Sequence, residues 1–119
     1  MAYDQGLAQR VREMLDELEP PGLAEKKMFG GVAFMLRGNL ACGVLKDELI
    51  VRVGPERHTE AIQRPHTRLF DLSGKPMKGW VMVKSGGYKP DEALDGWIQQ
   101  GVQFALSLHA KQEKRNTEE

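Results

Sequence analysis

Apolar and polar residues alternate through three short runs in the stretch from Lys26 to Val53. In the first run, Val32, Phe34 and Leu36 share one face, which is the period-two pattern of a β-strand. Turn-forming residues, among them Gly38 and Asn39, separate the runs. In the third run the polar positions alternate with the apolar ones, as in a strand with one wet face. The pattern therefore predicts an antiparallel meander, and we expect the rest of the chain to pack around it.

Two amphipathic helices are predicted at the ends of the domain. The first runs from near Asp4 to Leu18, with Asp4 as its N-cap, and Pro20 and Pro21 end it. The second begins near Pro90 or Asp91, because proline suits the first turn and acidic residues suit the positive end of the helix dipole. The predicted apolar stripes consist of Leu7, Val11, Met14, Leu15 and Leu18 in the first helix, and Leu94, Trp97, Ile98, Val102, Ala105 and Leu108 in the second.

Between the meander and the last helix, the pattern predicts shorter elements. These are a short helix within 56–63, a weak strand at 67–72, a strand at 79–84 and a flexible connector at 85–87. The predicted fold class is α+β, with a curved antiparallel sheet of about five strands flanked by N- and C-terminal helices. We expect a single domain over residues 1–110 and a polar, frayed tail over 111–119.

Composition indicates an ordinary globular domain. The chain has 119 residues, of which 40% are hydrophobic and 29% charged, and no apolar run approaches the roughly 20 residues of a membrane helix. The N-terminus has no apolar signal core. The single cysteine, Cys42, excludes an internal disulfide and fits a reducing compartment. We therefore expect a cytoplasmic protein that does not associate with membranes.

The net charge of zero conceals an uneven distribution along the chain. Residues 1–25 carry six acids and two bases, a balance of −4, whereas residues 64–89 carry six bases and one acid, a balance of +5. One interpretation is an anionic partner for the basic segment. The other is that the two segments lie near each other in the fold and neutralise each other.

No catalytic or metal-binding pattern stands out, so we expect no enzyme activity, no metal and no cofactor. Cys42 lies within an apolar strand, where a small buried hydrophobe is expected rather than a reactive thiol. His58, His66 and His109 lack ligand spacing and are expected to be exposed. Gly74 and Lys75 lack the further residues of a phosphate loop. An enzyme with an unrecognised pocket, in which Cys42 meets a histidine, remains one alternative.

Basic residues interleaved with aromatic ones form a predicted basic hairpin. Its candidate binding residues are Lys75, Lys78, Trp80, Lys84 and Lys89. Lysines engage phosphates and exposed aromatic rings stack on bases, so the hairpin is a candidate nucleic-acid surface. The alternative is that Trp80 belongs to the core and the lysines form a solvated rim. Strand parity alone leaves both positions of Trp80 open.

Four motifs in order resemble the TfoX/Sxy N-terminal domain family: MFGG at Met28, Phe29, Gly30 and Gly31; RGNLACGVLKDELIVRVG; FDLSGKPMKGWVMV; and the helix opening with Asp91, Leu94 and Trp97. The resemblance implies an α+β domain whose named relatives regulate bacterial DNA-uptake competence, acting with a transcription factor. It implies no catalytic residues. Those regulators carry a further helical domain, whereas this chain ends in a charged tail, so we expect a stand-alone member.

The leading hypothesis is a non-catalytic regulatory or adaptor domain, whose sheet or basic hairpin meets a protein partner in a setting of transcription or competence regulation. Direct nucleic-acid binding through the basic hairpin is the second hypothesis. A homodimer formed through a free sheet edge is compatible with either. The MFGG motif is interpreted as architectural, a curved entry into the first strand.

Overall fold

The structure, a computed structural model, describes residues 3–28, 30–70 and 77–108. Within these residues the chain forms four helices and six strands. In chain order they are α1 (Gln5–Leu18), β1 (Leu23–Met28), β2 (Gly31–Leu36), β3 (Asn39–Leu45), β4 (Glu48–Arg52), α2 (His58–Ile62), β5 (Thr67–Leu69), β6 (Trp80–Val83), α3 (Ser85–Tyr88) and α4 (Asp91–Ser107).

The six strands form one antiparallel sheet in the order β1-β2-β3-β4-β6-β5. The predicted meander is confirmed as β2, β3 and β4, and the α+β fold class is confirmed with it. The sheet then departs from chain order, because β6 inserts between β4 and β5. The predicted tail, at 111–119, and the end of the predicted strand at 67–72 lie outside the described residues.

The sheet has one strand more than the five expected, and the additional one is β1. Its sequence, LAEKKM, has no apolar alternation, because five of its six residues are exposed at the sheet edge. Met28 pairs with Gly31 across a hairpin in which Gly30 adopts a φ of +77°. Met28, Gly30 and Gly31 of the motif therefore lie where β1 turns into β2 and not at the entry into the first strand.

Both terminal helices begin where the sequence indicates. The carboxylate of Asp4 accepts a hydrogen bond from the Leu7 N–H at 3.0 Å, and α4 begins at Asp91 after Pro90. The flexible connector predicted at 85–87 is wrong, since α3 forms there. Its glycines permit close packing: a Cβ on Gly86 would lie 2.6 Å from the His66 ring. The two glycines of this segment suggested a flexible connector, but in the structure they leave space for the neighbouring His66 side chain.

The main core lies between the helices and one face of the sheet. It is built from the inward residues of β2, β3, β4 and β6 together with the apolar stripes of α1 and α4. Helix α4 approaches β3 closely at Gly101, where an added Cβ would overlap the Ala41 carbonyl oxygen. The predicted stripes are confirmed as core residues at Leu7, Val11, Leu15, Leu94, Trp97, Ile98 and Ala105, whereas the prediction is wrong for Leu18, which is 41% exposed at the end of α1.

The opposite face of the sheet holds a second apolar cluster, so the wet face predicted for the third run is wrong at its centre. Ile50 is 1% exposed and its neighbour Met82 is 2% exposed. Phe70 and the half-buried Trp80 pack in the same cluster. Ile50 is buried because residues distant in sequence cover it, a contact that alternation within one strand cannot report. Along the described chain, no helix has the length and apolarity needed to cross a bilayer.

Candidate functional site

The candidate site is the sheet face that carries the second cluster, and we name it the methionine face. None of the described residues in this cluster belongs to a helix. Its buried floor consists of Ala33, Leu40, Ile50, Phe70 and Met82, and its half-buried rim consists of Met28, Met35, Leu45 and Trp80. Methionine side chains are flexible and polarizable, which suits a surface that adapts to a binding partner.

Trp80 is neither fully core nor fully surface. Its ring stacks on Phe70 with the centroids 5.4 Å apart and the planes at 19°. Phe70 is 2% exposed, whereas Trp80 is half-buried. The indole therefore rests on a buried aromatic ring while part of it stays accessible at the rim, as aromatic anchors of protein interfaces do.

Three cations surround the methionine face without a carboxylate partner among the described ion pairs: Lys26, Arg52 and Lys78. Lys26 is opposite Ala33 and Arg52 is opposite Trp80 in the strand register, so each shares a face with a cluster residue. Lys78 is exposed in the turn before Trp80.

A fourth cation on this face, Arg68, is different because it is paired. Its guanidinium donates to the Glu48 carboxylate at 2.8 Å, and Glu48 is mostly buried with 14% of its side chain exposed. Asp47, in the turn between β3 and β4, is an acid on this face outside the described ion pairs, but Lys26, Arg52 and Lys78 leave an excess of positive charge, which favours an acidic partner.

The predicted basic hairpin is divided by the structure. Lys78 precedes β6, whereas Lys84 and Lys89 follow it on either side of α3, and all three side chains are exposed. The strand β6 thus separates Lys78 from Lys84 and Lys89. Lys75 lies outside the described residues. Of the candidate residues described, Lys78 and Trp80 adjoin the methionine face, and a binding role for the others stays a prediction.

The MFGG motif contributes to the site through Met28, which belongs to the rim. Glycine is required at position 31 for packing, because a Cβ there would overlap the Val44 carbonyl oxygen of the neighbouring strand. Phe29 lies outside the described residues. The motif thus allows β2 and β3 to approach closely and places one methionine at the edge of the face.

The acidic N-terminal segment and the basic segment are not joined by any ion pair in the described part of the chain. Within the acidic segment Glu25 pairs with Arg12, and this contact holds the pKa of the Glu25 carboxyl below its ordinary value. Arg10 donates instead to the Asp91 carboxylate and to the Lys89 carbonyl, at 2.8 Å each. Arg10 therefore brings the two segments into contact, as the second interpretation expects, but among the described residues no acid of the first segment pairs with a base of the second, and the exposed lysines keep their charge available.

Two residues considered for chemistry are buried. Cys42 is fully buried, and desolvation raises its pKa to about 12, so the thiolate is scarce at neutral pH and nucleophilic chemistry there is disfavoured. His58 is 8% exposed, and its predicted exposure is therefore wrong. Its Nδ1 accepts a hydrogen bond from the Gly79 N–H at 2.8 Å, a structural role. Among the described residues, no three acidic, histidine or cysteine side chains are grouped to hold a metal ion.

A cleft of about 460 Å³ lies between the segment after β4 and the C-terminal half of α4. Phe104, Pro55 and Leu108 form apolar walls, and Glu56 and Arg57 lie on its border. Its size falls in the range of ligand pockets, although it is open to solvent. Sequence reasoning missed this cleft, because its two walls are separated by about half of the chain.

Comparison with known families gives one match. The family model of the TfoX N-terminal domain matches residues 13–105, which include the C-terminal part of α1, most of α4 and the whole described sheet. A search of curated proteins found no match.

Proposed function

The chain belongs to the TfoX N-terminal domain family, and from this we propose that it is a non-catalytic regulatory or adaptor domain. In this proposal it binds an acidic segment of a protein partner on the methionine face. The observation that carries the proposal is the half-buried apolar rim, Met28, Met35, Leu45 and Trp80, bordered by the unpaired cations Lys26, Arg52 and Lys78.

Physical reasons favour a protein partner over a nucleic acid. The rim is apolar and would lose contact with water on binding, which contributes about 25 cal/mol for each Å² buried. The cations adjoin this apolar surface singly and not as a continuous stripe, whereas a phosphate backbone needs a run of positive contacts. An amphipathic acidic segment matches both features, since its apolar side chains meet the methionines and its carboxylates meet the cations.

The proposed biological setting is bacterial transcription or competence regulation in the cytoplasm. The family resemblance supports this setting, and the buried Cys42 supports a role without thiol chemistry. A homodimer through the edge of the sheet is not part of the proposal. The free edge at β1 is protected against pairing by Lys26 and Lys27, because charged side chains discourage a second strand from joining.

Site-specific photo-crosslinking in cells tests the proposal. p-Benzoylphenylalanine replaces Met35 on the rim in one variant and Glu17 on the exposed side of α1 in a matched control. We expect the same protein, identified by mass spectrometry, to be crosslinked from position 35 and not from position 17. The Met35→Glu variant, whose α1 surface is unchanged, should no longer co-purify with that partner protein. Equal crosslinking from both positions, or none from position 35, would reject the methionine face as the interface.

A further inference from the structure

Arg52 holds its guanidinium between two aromatic rings. The Cζ atom lies 5.4 Å from the centre of the Trp80 ring and 5.2 Å from that of Phe104. Trp80 comes from β6 and Phe104 from α4, so two separate elements fix the position of the same cation. Attraction between a cation and an aromatic face is effective at such distances.

Arg52 lacks the hydrogen-bonding partner that several other arginines of the chain have. Arg12 and Arg68 pair with carboxylates, and Arg37 donates to the Leu106 carbonyl at 3.0 Å. No hydrogen bond or ion pair in the described part of the chain uses the Arg52 side chain, although it is half-buried. Desolvation lowers the pKa of Arg52. Charged groups that lose water are normally paired, so this arginine has an unused capacity for an anion.

Stacking determines how that capacity is presented. All N–H groups of a guanidinium lie in its own plane, and neither ring offers them a hydrogen-bond acceptor in that plane, so they stay available to an anion. In that geometry two parallel N–H groups fit the two oxygens of a carboxylate. The stacked rings also hold the fork in place, which lowers the conformational entropy lost on binding.

The surroundings of Arg52 select the kind of anion. Phe104, which contacts Arg52, is also a wall of the 460 Å³ cleft, and Trp80 belongs to the rim of the methionine face. The guanidinium therefore lies where the apolar face and the cleft meet. Glu56 and Arg57 both lie on the border of the cleft, so their opposite charges offer no continuous positive surface to a polyanion, whereas a single carboxylate attached to an apolar segment matches the one guanidinium at this junction.

We propose that Arg52, clamped between Trp80 and Phe104, is a carboxylate-binding site that takes one Asp or Glu side chain of the acidic partner segment. An apolar side chain next to that carboxylate enters the adjoining cleft. This inference rests on the proposed function and specifies its anchor point.

Peptide selection with point variants tests the inference. A phage library of random dodecapeptides is selected on the wild-type protein, and affinities of synthetic binders are measured by fluorescence anisotropy. We expect an invariant Asp or Glu beside an apolar residue in the binders. Arg52→Met should weaken their binding about ten- to a hundredfold, the loss typical of a hydrogen-bonded charge. Replacing the invariant acid of the peptide by its amide should cause a similar loss.

Two further variants keep the test specific. Arg52→Lys retains the charge but not the bidentate fork, so this variant should bind the peptides more weakly than wild type. It provides the test if Arg52→Met folds poorly. Arg64→Met is the matched control, because Arg64 lies 5.1 Å from the Trp97 ring in a different groove. Its binding should equal that of wild type.

The results separate the inference from the proposed function. Binders that lose affinity with Met35→Glu but not with Arg52→Met would overturn the carboxylate site and leave the methionine face as an interface. Binders without an invariant acid would overturn it as well. A library that yields no binder, or a single-stranded oligonucleotide that binds more tightly than any peptide, would overturn both.

Discussion

The close approach of α4 to β3 gives a prediction in which the same substitution acts in opposite directions at two positions of one helix. Gly101 faces β3, and an added Cβ would overlap the Ala41 carbonyl oxygen and lie 3.0 Å from the carbonyl carbon. Gly96 is exposed, and a Cβ there would meet nothing within 4 Å. Both lie inside α4, so alanine gains about 1 kcal/mol of helix propensity at either position.

The magnitude at Gly101 follows from the geometry. Carbon atoms pack at about 3.5–4.0 Å, so α4 would have to retreat by about 0.5–1 Å. A gap of that size removes about a quarter to a half of each dispersion contact it opens, and overpacking against a backbone typically destabilises by about 1–3 kcal/mol or more. The overlap with a backbone oxygen places Gly101 at the upper end of this range, about 3 kcal/mol, so after subtracting the propensity gain we expect Gly101→Ala to lower the free energy of unfolding by about 2 kcal/mol. Gly96→Ala should raise it by about 1 kcal/mol.

Urea unfolding followed by circular dichroism measures both variants against wild type. The expected difference between them, about 3 kcal/mol, corresponds to roughly 12 °C in Tm for a domain of this size. Unchanged m-values would show that both variants unfold from the same native state. If Gly101→Ala is as stable as Gly96→Ala, the backbone of β3 does not limit the position of α4 and the reasoning fails.

Three further predictions concern other described features. His58→Ala should lower the free energy of unfolding by about 1–3 kcal/mol, because the buried Gly79 N–H loses its acceptor; unchanged thermal melting would mean that another group accepts this bond. The Cys42 pKa is raised from 9.0 to about 12, so the folded state holds this proton more tightly, and its stability contribution is full below pH 9 and falls as pH rises towards 12. The loss approaches about 1.4 kcal/mol per pH unit, and a Cys42→Ala variant with the same alkaline slope in urea unfolding would contradict it. Replacing Lys26 and Lys27 together by Thr should promote dimers through β1, measured by light scattering after size exclusion, and a strictly monomeric variant would show that the lysines do not protect the edge.

Local chemistry predicted much of the fold. The Asp4 cap, the start of α4 after Pro90 and the alternation in β2 to β4 each depend on residues that are neighbours in sequence. Strand β1 was missed for an equally physical reason: an edge strand exposed on both faces needs no apolar alternation.

The candidate site depended on distant contacts and was less predictable. Trp80 and Lys78 were recognised from composition, but the position of Trp80 depends on the stack with Phe70 across a hairpin. The position of Arg52 depends on Phe104, at the far end of the chain. His58 looks like any loop histidine in the sequence, and only the distant Gly79 N–H gives it a reason to be buried.

The chain order of the sheet has a consequence for synthesis on the ribosome. Strands β1 to β4 are consecutive hairpins and can pair as soon as they emerge, because each contact closes only a short loop. Strand β5 must wait for β6, since it pairs with that strand, and α4 emerges after every strand. The apolar face of the nascent meander is therefore exposed until α4 arrives, and that interval is when this chain is most vulnerable to aggregation and most dependent on chaperones.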